Sequence, residues 1–116
     1  MKKNREYYIR HGRAVFYISM MKDFNEVAAE AGWRLALYGT LTTTLDIMAM
    51  PWSKEAVSSD ELLQRLCGCF KDNEAMRNNI RKTNEACGRI SYLLPIWGDV
   101  GIEISTMDYR NFQQYE

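Results

Sequence analysis

The feature that most limits the fold is a pair of strand-forming runs between residues 33 and 51. Trp33-Arg34-Leu35-Ala36-Leu37-Tyr38 is short and rich in strand formers. A Gly/Thr segment, Gly39 to Thr44, turns the chain. Leu45-Asp46-Ile47-Met48-Ala49-Met50 reads as a second strand, ended by Pro51. The two runs are expected to pair as a hairpin. The fold class then depends on what flanks them.

Residues 3–31 read as helix, because Phe16, Met20, Phe24, Val27, Ala28 and Ala31 recur at steps of three and four. Gly12 is a possible interruption, and Gly32 suits a C-cap that needs positive φ. Ser58-Ser59-Asp60-Glu61 is a capping box, and Leu62, Leu63, Leu66, Cys67 and Phe70 after it form one apolar face. Residues 71–87 are polar, anchored only by Met76 and Ile80, and read as an exposed helical turn or connection. Gly88 to Leu94 and Val100 to Met107 read as two further strands, with Pro95-Ile96-Trp97-Gly98-Asp99 as their hairpin loop. Ile102 and Ile104 alternate with Glu103 and Ser105, so the last strand has one buried face and one wet one.

The expected class is α+β, in the order α-β-β-α-β-β. It has a mostly antiparallel four-stranded sheet with helices on one face. A single domain, residues 1–116, is expected: a helical region at 3–31, sheet and helix at 33–107, and a tail at 108–116.

Composition narrows the function. Fifteen basic side chains balance fifteen acidic ones, so bulk electrostatic binding of long nucleic acid is not expected. No apolar run approaches the roughly 20 residues of a membrane span. The first residues lack the apolar stretch of a secretory signal. A cytoplasmic protein is the expectation. The basic start and acidic end could pair head to tail with a second copy. Cys67, Cys69 and Cys87 read as free thiols, and one histidine, His11, leaves thiol hydrolase chemistry and zinc binding without a ligand set. No metal, cofactor or catalytic set is expected.

The residues suited to a ligand fall in two segments. Gly39-Thr40 can turn exposed amides and a hydroxyl toward a phosphate, and the alternative is a plain hairpin turn. Asp46 and Glu103 can stand as two carboxylates on neighbouring strands. Gly88-Arg89-Ile90-Ser91-Tyr92 places Arg89 on one strand face and Tyr92 on the other. Arg89 can hold a phosphate bidentately or pair with an acid such as Glu103. Arg34 and Arg110 are further cations, and Trp52 is a candidate aromatic beside them.

The run WRLALYGTLTTTLDIMAMPW resembles a pattern of small phage and prophage proteins. That pattern is an aromatic-x-Leu-Ala-Leu-x-Gly-Ser/Thr start followed by Asp-Leu-Asp-Leu-Ile-Ala-x-Pro-Trp. Gly39, Thr40, Leu45, Asp46, Ile47, Ala49, Pro51 and Trp52 match it, and Gly88-Arg89 and Ile102-Glu103-Ile104-Ser105 match its closing segments. Tyr38 and Cys87 stand where the pattern has histidine, Thr44 and Glu103 where it has aspartate. The group is similar to the phage Thoeris anti-defence sponges of the first type. The resemblance implies a small α/β protein that assembles as a dimer or larger homo-oligomer. It further implies sequestration, without cleavage, of a cyclic ADP-ribose-like or cyclic nucleotide signal in the host cytoplasm. Two other readings stay open. One is a degenerate nucleotidyltransferase-like enzyme, in which Gly-Ser holds triphosphate and an Asp-x-Asp pair holds metals. The other is a protein–protein inhibitor or accessory protein.

Overall fold

Gly12 does not break the first helix. α1 runs unbroken over Arg5–Glu30, and Gly12 lies in open space with nothing within 4 Å of where a Cβ would stand. A helical glycine costs only about 1 kcal/mol against alanine. Tyr17, Met20, Met21, Phe24 and Ala28 bury one stripe of α1. Gly32 ends the turn at φ +85, and Ala56 lies 2.8 Å from its would-be Cβ. No other residue fits that close approach at that backbone angle.

The structure, a computed structural model, describes residues 5–39, 44–71, 73–97 and 100–111. After α1 come β1 (Trp33–Tyr38), β2 (Thr44–Pro51), α2 (Ser59–Cys67) and α3 (Glu74–Asn78). β3 (Arg81–Asn84), a 3-10 turn at Ala86–Gly88, β4 (Ile90–Trp97) and β5 (Val100–Thr106) follow. The sheet has five strands in the order β1-β2-β5-β4-β3. β1 pairs antiparallel with β2, as the sequence predicts. β2 pairs parallel with β5, and β5 pairs antiparallel with β4, itself antiparallel to β3.

This corrects the expected four-stranded, mostly antiparallel sheet in the order α-β-β-α-β-β. The described residues form three α-helices and a fifth strand, and β2 runs parallel to the central strand β5. β3, Arg81-Lys82-Thr83-Asn84, is exposed at every position. It has no apolar alternation for a period-two pattern to show, and its pairing with β4 makes it a strand. The parallel β2–β5 contact joins segments about fifty residues apart, which local patterning does not report. The predicted hairpin loop at Pro95 is mostly strand: β4 continues to Trp97 through an irregularity between Pro95 and Trp97, where a missing proline N–H is tolerated.

The core lies on one face of this sheet. Leu45, Ile47 and Ala49 of β2, Ile102 and Ile104 of β5, and Leu94 of β4 are fully buried against Phe24 of α1 and Leu62 and Leu66 of α2. Ser58 caps α2 by accepting from the Glu61 amide at 3.1 Å, and Glu61 itself turns to Arg65 at 3.2 Å. Trp33 is fully buried and its Nε1 donates to the Val57 carbonyl at 2.8 Å. Among the described residues no helix is long and apolar enough to cross a membrane.

Candidate functional site

Strand alternation sends residues 102 and 104 into the core, and therefore 103 and 105 to the opposite face. The register fixes who stands beside whom there. Tyr38 is level with Asp46, Asp46 with Glu103, and Glu103 with Leu93. The next row along the strands is Ala36, Met48, Ser105 and Ser91. Arg34 is level with Met50 one row further on. Arg89, in extended conformation, stands one residue before β4, two residues from Ser91. It is delivered by a turn in which Cys87 and Gly88 both take positive φ, 61 and 72.

The expected carboxylate pair is therefore present: Asp46 and Glu103 are neighbours on parallel strands. Thr44 donates its hydroxyl to Asp46 Oδ1 at 3.1 Å. Asp46 Oδ2 lies 2.6 Å from where a Gly39 Cβ would be, and Gly39 has φ +86. Gly39 thus gives the Asp46 carboxylate its place against the backbone. Thr40 lies outside the described residues. Among those described, no group of three or more His, Cys, Asp or Glu is placed to hold a metal ion.

Two groups on this face retain bonding capacity. Ser105 is 2% exposed, and its Oγ has no hydrogen-bond partner among the described residues. An unpaired buried hydroxyl costs about 1–3 kcal/mol. Tyr38 has no side-chain hydrogen bond to a described residue, and its hydroxyl is pushed up by burial, then by Glu103 and Asp46. Arg89 acts in the opposite direction. Glu103 is level with Leu93, not Arg89, so the expected cross-strand pair between Arg89 and Glu103 does not form. At the far end of the face the Arg34 guanidinium sits 5.5 Å over the Trp52 ring, and Trp52 is 58% exposed.

Two sequence candidates belong elsewhere. Tyr92 faces the core side, where its hydroxyl bonds Asp60 Oδ1 at 2.6 Å and Ser59 Oγ at 2.8 Å. Lys82 completes this group on Asp60 at 3.0 Å. Arg110, expected in a free tail, is a clamp. Its guanidinium donates to both Asp108 carboxylate oxygens and to the carbonyls of Lys54, Ala56 and Val57. It has no donor left for a phosphate. Burial pushes the Cys67 and Cys69 thiols up, away from the reactive thiolate.

Sequence reasoning left Ser105 out of the site. The alternation of 102–105 shows its face, yet burial without a partner is a tertiary fact. No protein-family model, no curated protein and no solved structure matches the chain.

Proposed function

We propose that this chain sequesters a small cyclic nucleotide or cyclic ADP-ribose-like signal without cleaving it, as a phage-type immune-evasion protein in the host cytoplasm. The observation that carries the reading is the register that brings Tyr38, Asp46 and Glu103 into one row beside a buried Ser105 hydroxyl with no partner among the described residues, on the face that Arg89 joins. The motif resemblance between residues 33 and 52 supports the ligand class. Arg89 supplies a planar fork for a phosphate, and the Ser105 hydroxyl donates to a phosphate or ribose oxygen. Asp46 and Glu103 accept from ribose hydroxyls or base N–H groups. The Tyr38 and Trp52 rings offer stacking surfaces at opposite ends of a face roughly 13 Å long, four residues of strand. The raised Tyr38 hydroxyl favours holding a ligand over attacking it.

The test is incubation of the full chain with cyclic ADP-ribose isomers and cyclic di- and trinucleotides, removal of free ligand, denaturation and mass analysis. Intact ligand is expected from the parent and little from Arg89→Ala. Released products mean an enzyme, and absence of every ligand overturns the reading.

The Asp46–Glu103 register favours one second reading, a degenerate nucleotidyltransferase-like enzyme. Thr44 then stands in place of the first carboxylate of an Asp-x-Asp pair. That reading requires magnesium-dependent transfer that is lost in Asp46→Asn. Equal behaviour of variant and parent rules it out.

A further inference from the structure

Of the described residues from 74 to 88, none is buried. α3 and β3 lie beside α2 and bring little core of their own. Met76 and Ile80 are half-buried against the main cluster, and every β3 side chain is exposed. Two cations tie the segment to α2. Arg77 of α3 donates to Gln64 Oε1 at 3.2 Å and to Asn73 Oδ1 at 2.8 Å. Its Nη2 lies 3.7 Å from where a Gly68 Cβ would stand. Lys82 of β3 sits 3.0 Å from Asp60 and 5.9 Å from the centre of the Tyr92 ring. Asp60, Gln64 and Cys67 are spaced i, i+4, i+7, so they form one stripe of α2. Cys67 is 0% exposed and shares the side of α2 that the two cations cover.

We infer that residues 74–84 form a strap that comes off α2 and β4 as a unit while the rest of the fold stays closed, uncovering the Cys67 thiol and the outer edge of β4. The stability of such a unit is set by the apolar surface it buries and the bonds it makes. This one buries two apolar side chains, Met76 and Ile80, both only in part. The side chains of its Lys82–Asp60 pair are 44% and 64% exposed, and pairs in that setting contribute little. Four register pairs with β4 add the backbone's share. The body keeps its own contacts when the strap leaves. β4 stays paired with β5 from Ile90 to Trp97, and none of the buried core residues comes from the strap.

The strap also accounts for the composition of β3. An apolar sheet edge offers its backbone to foreign strands, and a charged edge resists them. Closed, the strap sets Arg81, Lys82, Thr83 and Asn84 outermost in the sheet. Open, it leaves β4 as the edge, with Ile90, Tyr92 and Leu94 on its core side. The strap thus covers a strand edge and a thiol, and holds them with contacts that release below global unfolding.

Thiol labelling and hydrogen exchange on the full chain test this. In a Cys69→Ser, Cys87→Ser background Cys67 is the sole thiol. Its modification by a thiol reagent is expected to depend on urea far less steeply than global unfolding does. Arg77→Ala is expected to raise the rate about tenfold, and Lys82→Ala about threefold. Arg65→Ala, whose pair with Glu61 lies off the strap, is expected to leave the rate unchanged. In the unaltered chain the β3 amides are expected to exchange ahead of those of β2 and β5. Labelling that tracks global unfolding, an Arg77→Ala rate equal to the parent's, or β3 amides as protected as those of β5 each overturns the proposal. The exchange measurement needs no variant and decides it should the substituted chains fail to fold.

Discussion

Tyr92 and Tyr38 stand on opposite faces of one sheet, and their hydroxyls are treated differently. The Tyr92 hydroxyl is closed on both sides, by Asp60 at 2.6 Å and Ser59 at 2.8 Å. The Tyr38 hydroxyl is crowded by burial and by two carboxylates, with no bond to a described residue. Arg110 and Arg89 repeat the contrast. One spends its guanidinium on Asp108 and three carbonyls. The other forms no ion pair with a described residue. Groups that hold the fold have their bonds satisfied inside it. Ser105 and Tyr38, on the face away from the core, have no side-chain hydrogen bond to a described residue. The comparison predicts large stability losses on one side and loss of ligand without loss of stability on the other.

The largest loss is expected at Trp33, whose ring is fully buried where β1 leaves the helix. Trp33→Ala removes the packing and the Nε1 bond to Val57, and is expected to cost about 3–5 kcal/mol. Urea unfolding measures it, and a cost under about 1 kcal/mol would mean that this end of the sheet is not packed as described. Arg110→Ala comes next. It strands the Ala56 carbonyl, leaves the Val57 carbonyl with Trp33 Nε1 as its remaining side-chain donor, and leaves Asp108, 8% exposed, without its cation. A loss of about 2–3 kcal/mol is expected in the same assay. Lysine should not restore it, because one ammonium cannot replace a fork that reaches several acceptors.

Tyr92→Phe is expected to cost about 1 kcal/mol, the net worth of a partly buried hydrogen-bonded group. It also carries a pH signature. The Tyr92 hydroxyl and Lys82 hold the Asp60 carboxyl below its ordinary value of 3.8. A depressed carboxyl contributes stability that is present above that value and is lost as pH falls through the folded one. The parent should therefore lose stability more steeply than Tyr92→Phe as pH falls below 3.8. Parallel acid limbs for the two proteins would remove Tyr92 as the cause.

These two faces were unequally legible in the sequence. The core face announces itself: Leu45, Ile47, Ile102 and Ile104 alternate, Leu62, Leu63 and Leu66 share a helical stripe, and each is buried. Asp46 could be placed on a strand from local pattern alone, whereas Arg89, expected within a strand, stands one residue before β4. What the pattern could not carry was strand order. The parallel contact of β2 with β5 brings Glu103 beside Asp46, and β3 forms from four polar residues through backbone pairing. Arg110 and Tyr92 were misjudged for a related reason. A cation or aromatic near a glycine looks available in sequence, and only the fold shows whether its donors are already used. The absence of a partner at Ser105 is the same kind of fact with the opposite sign.

Ser105→Ala therefore gives the smallest shift and the sharpest one. Alanine keeps the Cβ and deletes only the oxygen, so little void remains. It also removes a buried hydroxyl that has no partner among the described residues. Deleting an unsatisfied buried polar group relieves its desolvation cost, so stability should rise by up to about 1 kcal/mol. In a chain of this size that is a gain of roughly 3–6 °C in the melting midpoint. The same variant should retain less of the cyclic nucleotide or cyclic ADP-ribose ligand held by the parent. A gain in stability joined to a loss of ligand marks a group maintained at a cost to the fold. A melting midpoint that drops instead would show that the Ser105 hydroxyl is already bonded within the protein, and the contrast between the two faces would fail at its centre.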